Sequence, residues 1–419
     1  MRRSCRPALP FALLALSAGL GCSQPSLTTC DITQRSCQEE IYYKVLSLRG
    51  DAIDPFNGLP PVGVITEDQY RQQLEQEAAS PPKDPNPLQK TLDKVLLLLH
   101  FTSAGSAPGD AGAGVDGGGA GNSTIDDQVT HVYAFYDPSI KTVTIVSHPN
   151  QTSGNDRQQA MITLAHELVH SLQDRELDLN KQDFTSSDNY LAFDSMIEGD
   201  ARFYEYLFEN DLLQLGYPQS AIVKMPDYEL NYVYTHFDTA GTPLFAARLL
   251  AYPLGAKYLA TAYDSGGNAA VRHAYAKAPI RTVGLLVGDD GRVPPVGTGN
   301  VCQAPVALSL SPTDKTASDD QLGALLFYTF LRGWNVVHDV AFATAQRWTG
   351  DDLLVQASSD FVTSAAAWRI EFSTSPPTSI VQALTATGEL TVTASAKALL
   401  ITVSNAATPL VWTARTSCP

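Results

Sequence analysis

The chain has 419 residues, with 28 Lys and Arg against 44 Asp and Glu, which gives a formal net charge of −16. Nucleic-acid binding relies on clustered Lys and Arg that neutralise phosphates, and the absence of any dense basic run disfavours that function. The length suits one large domain or two closely joined ones.

The first 21 residues have the pattern of a signal peptide. A basic start at residues 1–3 precedes the apolar run 8–20, which is too short for a permanent membrane span. Cleavage after Gly21 would leave Cys22 at the new N-terminus, where bacterial lipoproteins carry a lipid. Two alternatives stay open here: anchoring to the membrane of the bacterial cell envelope through a lipid on Cys22, and ordinary secretion.

The cysteines predict two disulfides. If Cys5 leaves with the signal and Cys22 carries a lipid, an even number remains, which in an exported chain favours pairing. One pair, Cys30 with Cys37, would close a small N-terminal loop. A second pair, Cys302 with Cys418, would tie down the C-terminal segment. Other pairings stay open, and no cysteine has the spacing of a zinc site.

Ser, Thr, Gln and Pro dominate the segment after Cys22, which predicts a tether over 22–40. A domain over 41–300 and a C-terminal segment over 301–419 that packs on it are predicted to follow. The domain begins with helices over 67–79 and 88–101, a Gly-rich surface loop over 103–122, and a hairpin of 131–135 and 142–147. Its later helices are predicted over 156–174, 193–208, 244–263 and 269–276. The C-terminal segment is predicted to hold helices over 321–332 and 337–348 and then mainly strands. The predicted fold class is α+β, with a mostly helical core, a small sheet and a β-rich end.

The predicted helix over 156–174 carries the sequence His166-Glu167-Leu168-Val169-His170. Histidines four residues apart project from one face of a helix, where two imidazoles can hold a zinc ion. Glu167 stands beside the first ligand, off the metal but near a water bound to it. It can act as general base while zinc lowers the pKa of that water and polarises a carbonyl.

Zinc in a catalytic site needs a third protein ligand, and Glu198 is the best candidate. It lies at the start of the second amphipathic helix, which could pack beside the first. Asp194, Asp200 and Glu205 are rivals for that role. Asp200 and Asp174 could instead orient a histidine ring from behind, a role that metal sites usually fill.

The run from Ala165 to Asp174, AHELVHSLQD, resembles the "HELTHALQDQ" signature of a family of exported bacterial and archaeal proteins of the gluzincin type. The family's "EGDA" segment matches residues 198–201, and looser matches extend the resemblance over about 133–352. The resemblance implies a zincin-like metallopeptidase fold, with His166, His170 and Glu198 as zinc ligands and Glu167 as catalytic base.

Two departures from this group of peptidases concern the surroundings of the metal. Thermolysin-like gluzincins have an Asp four residues after the ligand Glu, where this chain has Arg202. The family's "HPEKY" segment is replaced by residues 285–290. The resemblance therefore leaves the details of the substrate cleft undetermined.

Peptide hydrolysis also needs a donor to the oxyanion, commonly a Tyr or a His. Tyr252 is the first candidate because it begins a family-like motif, and His236 is the second; either could instead be an ordinary packing or surface residue. The resemblance further implies that the strand over 142–146 is an edge strand that pairs with extended substrate.

The sequence thus predicts an exported zinc-dependent metallopeptidase that hydrolyses peptide or protein substrates. One alternative is a surface lipoprotein that keeps the zincin fold for a binding or structural role without catalysis. Another is a zinc hydrolase acting on a non-peptide amide, such as a cell-wall bond.

Overall fold

A computed structural model describes residues 30–51, 58–79, 94–101, 125, 129, 132–148, 154–237, 242–288, 306–308, 315–358, 362–406 and 412–414. The predicted signal peptide with Cys22, the Gly-rich stretch, and the predicted Cys302–Cys418 pair lie outside these residues. The described part is an α+β fold dominated by helices, which confirms the predicted class.

The first helix, α1 (Arg35–Arg49), begins inside the segment predicted to be a tether. A disulfide joins Cys30 to Cys37 on its first turn, as the shorter predicted pair requires. Its buried stripe recurs at helical spacing and packs against the helix that carries the two histidines. Ordered structure therefore starts before residue 41, because this short segment has an apolar face to bury.

A three-stranded sheet precedes the histidine helix. It consists of β1 (Val62–Thr66), followed in the chain by α2 (Glu67–Ala79), and of the hairpin β2 (Ala134–Asp137) and β3 (Thr142–Ser147). β3 is the central strand, parallel to β1 and antiparallel to β2. The hairpin is confirmed, but the prediction that 142–146 forms an edge was wrong. The parallel pairing of β1 with β3 is non-local, and no local pattern reveals it.

Two long helices follow, α3 (Gly154–Leu177) and α4 (Ser187–Leu212), and they confirm the helices predicted over 156–174 and 193–208. The short α5 (Gln219–Ile222) and α6 (Met225–Thr235) lead to α7 (Pro243–Ala276).

Helix α7 crosses α4 at very close range. A Cβ atom on Gly255 would lie only 1.6 Å from the carbonyl oxygen of Ser195, and one on Gly199 would lie 2.2 Å from the backbone of Gly255. Only glycine allows this approach. Farther along, α7 is interrupted at Gly266 and Gly267, within the predicted break between 263 and 269.

The rest of the chain packs a buried helix against a second sheet. After α8 (Thr282–Val287) come β4 (Val306–Leu308), β5 (Lys315–Asp320), α9 (Gly323–Gly333), α10 (His338–Ala345) and β6 (Trp348–Ala357). They are followed by β7 (Ser364–Phe372), α11 (Thr378–Thr385), β8 (Thr391–Ala394), β9 (Ala398–Ser404) and β10 (Trp412–Ala414). The larger sheet has the order β5-β6-β7-β9-β8 and is antiparallel, and β4 pairs with β10. Within the described ranges, no helix has the length and apolar character to cross a membrane.

Candidate metal centre

Helix α3 holds two imidazoles side by side in the protein interior. His166 and His170 share one face of the helix, with ring centroids 4.7 Å apart and ring planes at 76°. Both side chains are buried. Ala165, Leu168 and Val169 are also buried, so α3 is enclosed on several sides and the histidine face looks into the core.

Helix α4 brings Glu198 against both rings. Its Oε2 atom lies 3.4 Å from Nε2 of His166 and 3.6 Å from Nε2 of His170. One ligand atom from each of the three residues falls within 4.8 Å of the others, so this buried group could hold a metal ion. The structure thus brings together the three residues that the sequence predicts as metal ligands.

The arrangement of His170 fits a bound cation. Its Nε2 atom is buried and has no hydrogen-bond partner among the described residues. A buried polar atom left unpaired costs about 1–3 kcal/mol, and a metal ion that accepts the lone pair of this nitrogen removes that cost. The donors present, two imidazole nitrogens and a carboxylate oxygen, are all groups that bind metals.

The ring of His166 is oriented by Glu205, a residue that the sequence suggests only as a rival ligand. Oε2 of Glu205 lies 3.0 Å from Nδ1 of His166, on the side of the ring away from Glu198. Its other oxygen accepts a hydrogen bond from Arg202, which also bonds Glu229 on α6. Arg202 stands where thermolysin-like chains have an Asp, and the carboxylate that contacts the histidine here comes three residues later.

The ring of His170 is oriented by the amide of Gln173. Oε1 of Gln173 lies 2.8 Å from Nδ1 of His170, and its Nε2 atom donates to the carbonyl of Ile197 and to Asp200. Asp200 in turn forms a buried ion pair with Arg49 of α1. Asp200 therefore supports the histidine indirectly, one residue behind the amide, and not as a direct partner.

Of the remaining acidic candidates, Asp174 has a structural role and Asp194 adds charge near Glu198. Asp174 accepts hydrogen bonds from the hydroxyl of Tyr136 at 2.7 Å and from the backbone N–H of Leu179 at 2.7 Å, so it ties the end of α3 to β2. Asp194 lies one turn before Glu198. Burial, together with the nearby charge of Glu198, raises the pKa of Asp194 to about 7.

Glu167 is held by strand β2 on one side only. Its Oε2 atom accepts a hydrogen bond from the backbone N–H of Tyr136 at 2.9 Å. Its Oε1 atom is buried and, within the described part of the chain, has no partner. Burial, opposed by His166 and reinforced by Glu198, raises the pKa of Glu167 to about 8.

The charges around the two imidazoles attract a cation. Burial disfavours a charged His166, but hydrogen bonds with Glu198 and Glu205 outweigh it and raise the pKa of this ring well above its usual value. Burial lowers the pKa of His170, so this ring favours the neutral form that ligates metals. The excess of carboxylates that favours a proton on His166 equally favours a metal ion.

The two predicted oxyanion donors lie in different environments. Tyr252 of α7 stacks on His166, with ring centroids 6.1 Å apart, and the glycine crossing of α4 and α7 brings it there. His236 lies at the exposed end of α6 and stacks on Tyr232. The structure therefore brings Tyr252 to the centre and leaves His236 on the surface.

Three supporting residues are missed by the sequence interpretation: Gln173, Arg49 and Tyr136. Gln173 lies within the family-like signature, three residues after His170, and that spacing could have suggested a partner for the ring. Arg49 carries no comparable signal, because it acts across the fold through Asp200. Tyr136 contributes its backbone, which side-chain patterns do not report.

Comparisons with known proteins identify no relative. No family model matches the chain, and neither a curated protein nor a solved structure is significantly similar to it.

Proposed function

We propose that this protein is an exported zinc-dependent metallopeptidase of the gluzincin type. It has a zincin-like catalytic domain and hydrolyses peptide bonds in peptide or protein substrates. The observation that carries the proposal is the buried convergence of His166, His170 and Glu198 beside a carboxylate, Glu167, that is not a ligand. Two imidazoles and one carboxylate with Glu next to the first His are the donor set of catalytic zinc in peptidases.

The role of Glu167 follows from its two oxygens. The Tyr136 N–H fixes Oε2, and Oε1 remains to take a proton from the attacking water and pass it to the leaving nitrogen. Zinc held by the three ligands would polarise the scissile carbonyl and acidify that water. Tyr252, stacked on His166, is the proposed donor to the developing oxyanion.

Strand β2 supports a peptide as the substrate. It is an edge of the small sheet, and its Tyr136 N–H points away from β3 toward Glu167. The carbonyl of Tyr133 accepts a hydrogen bond from the backbone N–H of Val146 in β3. Because successive residues of an antiparallel strand point their backbone groups to opposite sides, those of Ala134 also point away from β3. An extended peptide could pair with the backbone groups of Ala134 beside the proposed metal site.

The proposed location is outside the cytoplasm, either secreted or anchored by a lipid on Cys22. The pattern of residues 1–22 supports export, and the Cys30–Cys37 disulfide suits an oxidising compartment.

The test is Glu167→Gln in the mature, zinc-loaded protein, with cleavage of a quenched fluorescent peptide library as readout. Glutamine keeps an acceptor for Tyr136 but cannot serve as a base, so we expect kcat/KM to fall about 10²- to 10⁴-fold. Zinc content should stay unchanged. Glu39→Gln, on the exposed face of α1, is the matched control and should cleave like the wild type.

Two outcomes would overturn the proposal. Full activity in Glu167→Gln would remove the assigned base. A zinc-loaded wild type that cleaves no peptide would favour the non-catalytic surface lipoprotein, unless it hydrolyses peptidoglycan amides in a parallel assay, which would assign the site to that chemistry.

A further inference from the structure

The orientation of the Gln173 side chain is fixed by two buried acceptors. Its Nε2 atom lies 2.8 Å from the carbonyl oxygen of Ile197 and 3.0 Å from Oδ2 of Asp200. A carbonyl and an ionised carboxylate can only accept hydrogen bonds, so both N–H groups of the amide are used. Oε1 of Gln173 must then face His170.

This orientation determines which nitrogen of His170 carries the proton. Oε1 of Gln173 lies 2.8 Å from Nδ1 of His170 and can only accept, so Nδ1 must be the protonated nitrogen of the neutral ring. Nε2 then presents its lone pair toward Glu198, 3.6 Å away. A reversed amide would set its oxygen against both acceptors and lose two buried hydrogen bonds.

The amide is secured from outside the two metal-binding helices. Arg49, the last residue of α1, forms a buried ion pair with Asp200 and lies 5.0 Å over the ring of Tyr204. Its Nε atom is also held by Asp51 at 2.9 Å. These contacts keep the carboxylate of Asp200 turned toward Gln173, because a buried ion pair with further hydrogen bonds is fixed in geometry.

We propose that Arg49 is a positioning residue of the metal centre. Through Asp200 and Gln173 it fixes the Nδ1–H tautomer of His170, so the disulfide-linked helix α1 is part of the structure that holds the metal. The inference takes the metal from the proposed function, but the tautomer is a property of the metal-free protein. His166 depends on a separate support, Glu205 with Arg202, which involves no residue of α1.

The first test compares zinc affinities by chelator competition on the full mature protein. Arg49→Met should weaken zinc binding about 10- to 100-fold, the range for loss of groups that orient metal ligands. Arg49→Lys, which keeps the charge but not the planar fork, should bind zinc with intermediate affinity. The matched control is Arg175→Met, since Arg175 also joins α3 to α1, through the Tyr42 hydroxyl at 2.9 Å, but lies outside this chain of contacts. It should bind zinc like the wild type.

The second test reads the tautomer without metal. Nitrogen NMR of ¹⁵N-histidine-labelled, zinc-free protein, with the His170 signal assigned by its loss in His170→Ala, should show the Nδ1–H form in the wild type. In Arg49→Met we expect a mixture of tautomers. Circular dichroism should first show that the Arg49→Met and His170→Ala proteins are folded.

The proposal is overturned if Arg49→Met binds zinc as tightly as the wild type, or if its His170 keeps a pure Nδ1–H tautomer. An Nε2–H tautomer in the wild type would also overturn it. These outcomes are distinct from failure of the proposed function, because a protein that cleaves no peptide still gives a tautomer for His170.

Discussion

Two groups of buried acidic side chains lie in the core, and they differ in what faces them. In the candidate metal centre, the carboxylates of Glu198 and Glu205 face imidazole nitrogens. In the second group, Asp188 and Asp351 face N–H and hydroxyl donors of other elements. We call Asp188 and Asp351 the junction acids, because they lie where α4, α8, α9 and β6 meet.

Donors bind both oxygens of Asp351 and Oδ1 of Asp188, and these contacts hold elements together, whereas Oδ2 of Asp188 has no hydrogen-bond partner among the described residues. Asp351 accepts three hydrogen bonds: from the backbone N–H groups of Leu322 at 2.9 Å and Gly323 at 3.1 Å and the indole of Trp368 at 2.7 Å. Asp188 accepts from the backbone N–H of Thr282 at 2.9 Å. Burial of acids is thus common to both groups, and the neighbouring atoms decide which group suits a cation.

The largest effect on stability should come from Asp351→Ala. The substitution leaves three buried N–H donors at the start of α9 and on β7 without an acceptor, so we expect a loss of about 4 kcal/mol in the free energy of unfolding. Urea denaturation followed by fluorescence measures it. The exposed pair member Asp227→Ala should cost less than about 1 kcal/mol. Equal losses in the two variants would refute a structural role for the junction acids.

The titration of Asp188 should appear in the pH dependence of the free energy of unfolding. Burial, opposed by hydrogen bonds from Thr282, raises the pKa of Asp188 from 3.8 to about 6. The stability linked to this raised pKa is therefore fully present below pH 4 and lost as the pH rises through 6, by about 3 kcal/mol in total. Asp188→Asn should flatten this part of the pH profile of the free energy of unfolding. A profile unchanged by the substitution would contradict the account.

The smallest expected change in the free energy of unfolding is that of Glu198→Gln, and it should have the opposite sign to the changes at the junction acids. Glu198 adds negative charge beside Glu167 and Asp194, whose pKa values it raises. Without metal, and at a pH above the raised pKa of His166 where that ring is neutral, Glu198→Gln should therefore stabilise the protein by about 1 kcal/mol. Thermal unfolding in chelator measures this effect. A clear loss of stability would instead class Glu198 with the structural acids.

The helices and site residues that could be predicted are those whose pattern lies within one short stretch of sequence. His166 and His170 share a helix, and apolar residues at helical spacing predict both α3 and α4. Glu198 lies at the start of the other predicted amphipathic helix, and the family-like "EGDA" segment supports its choice as third ligand. The α+β class follows from the same local patterns.

The parts that were missed or wrong depend on contacts between distant residues. Arg49 and Asp200 are 151 residues apart in the sequence, and no pattern around either residue predicts their ion pair. The family resemblance implied that strand 142–146 lies at an edge, but β1, far earlier in the chain, pairs with it and makes it central. His236 was a candidate by residue type alone, and the fold exposes it on α6.

The most direct test of the central claim is the zinc content of the purified mature protein, measured by elemental analysis beside a His170→Ala variant. We expect about one zinc ion per wild-type chain and little in the variant, because only two of the three ligands remain. A wild type that holds no zinc even after reconstitution would contradict the claim that this buried group is a metal centre.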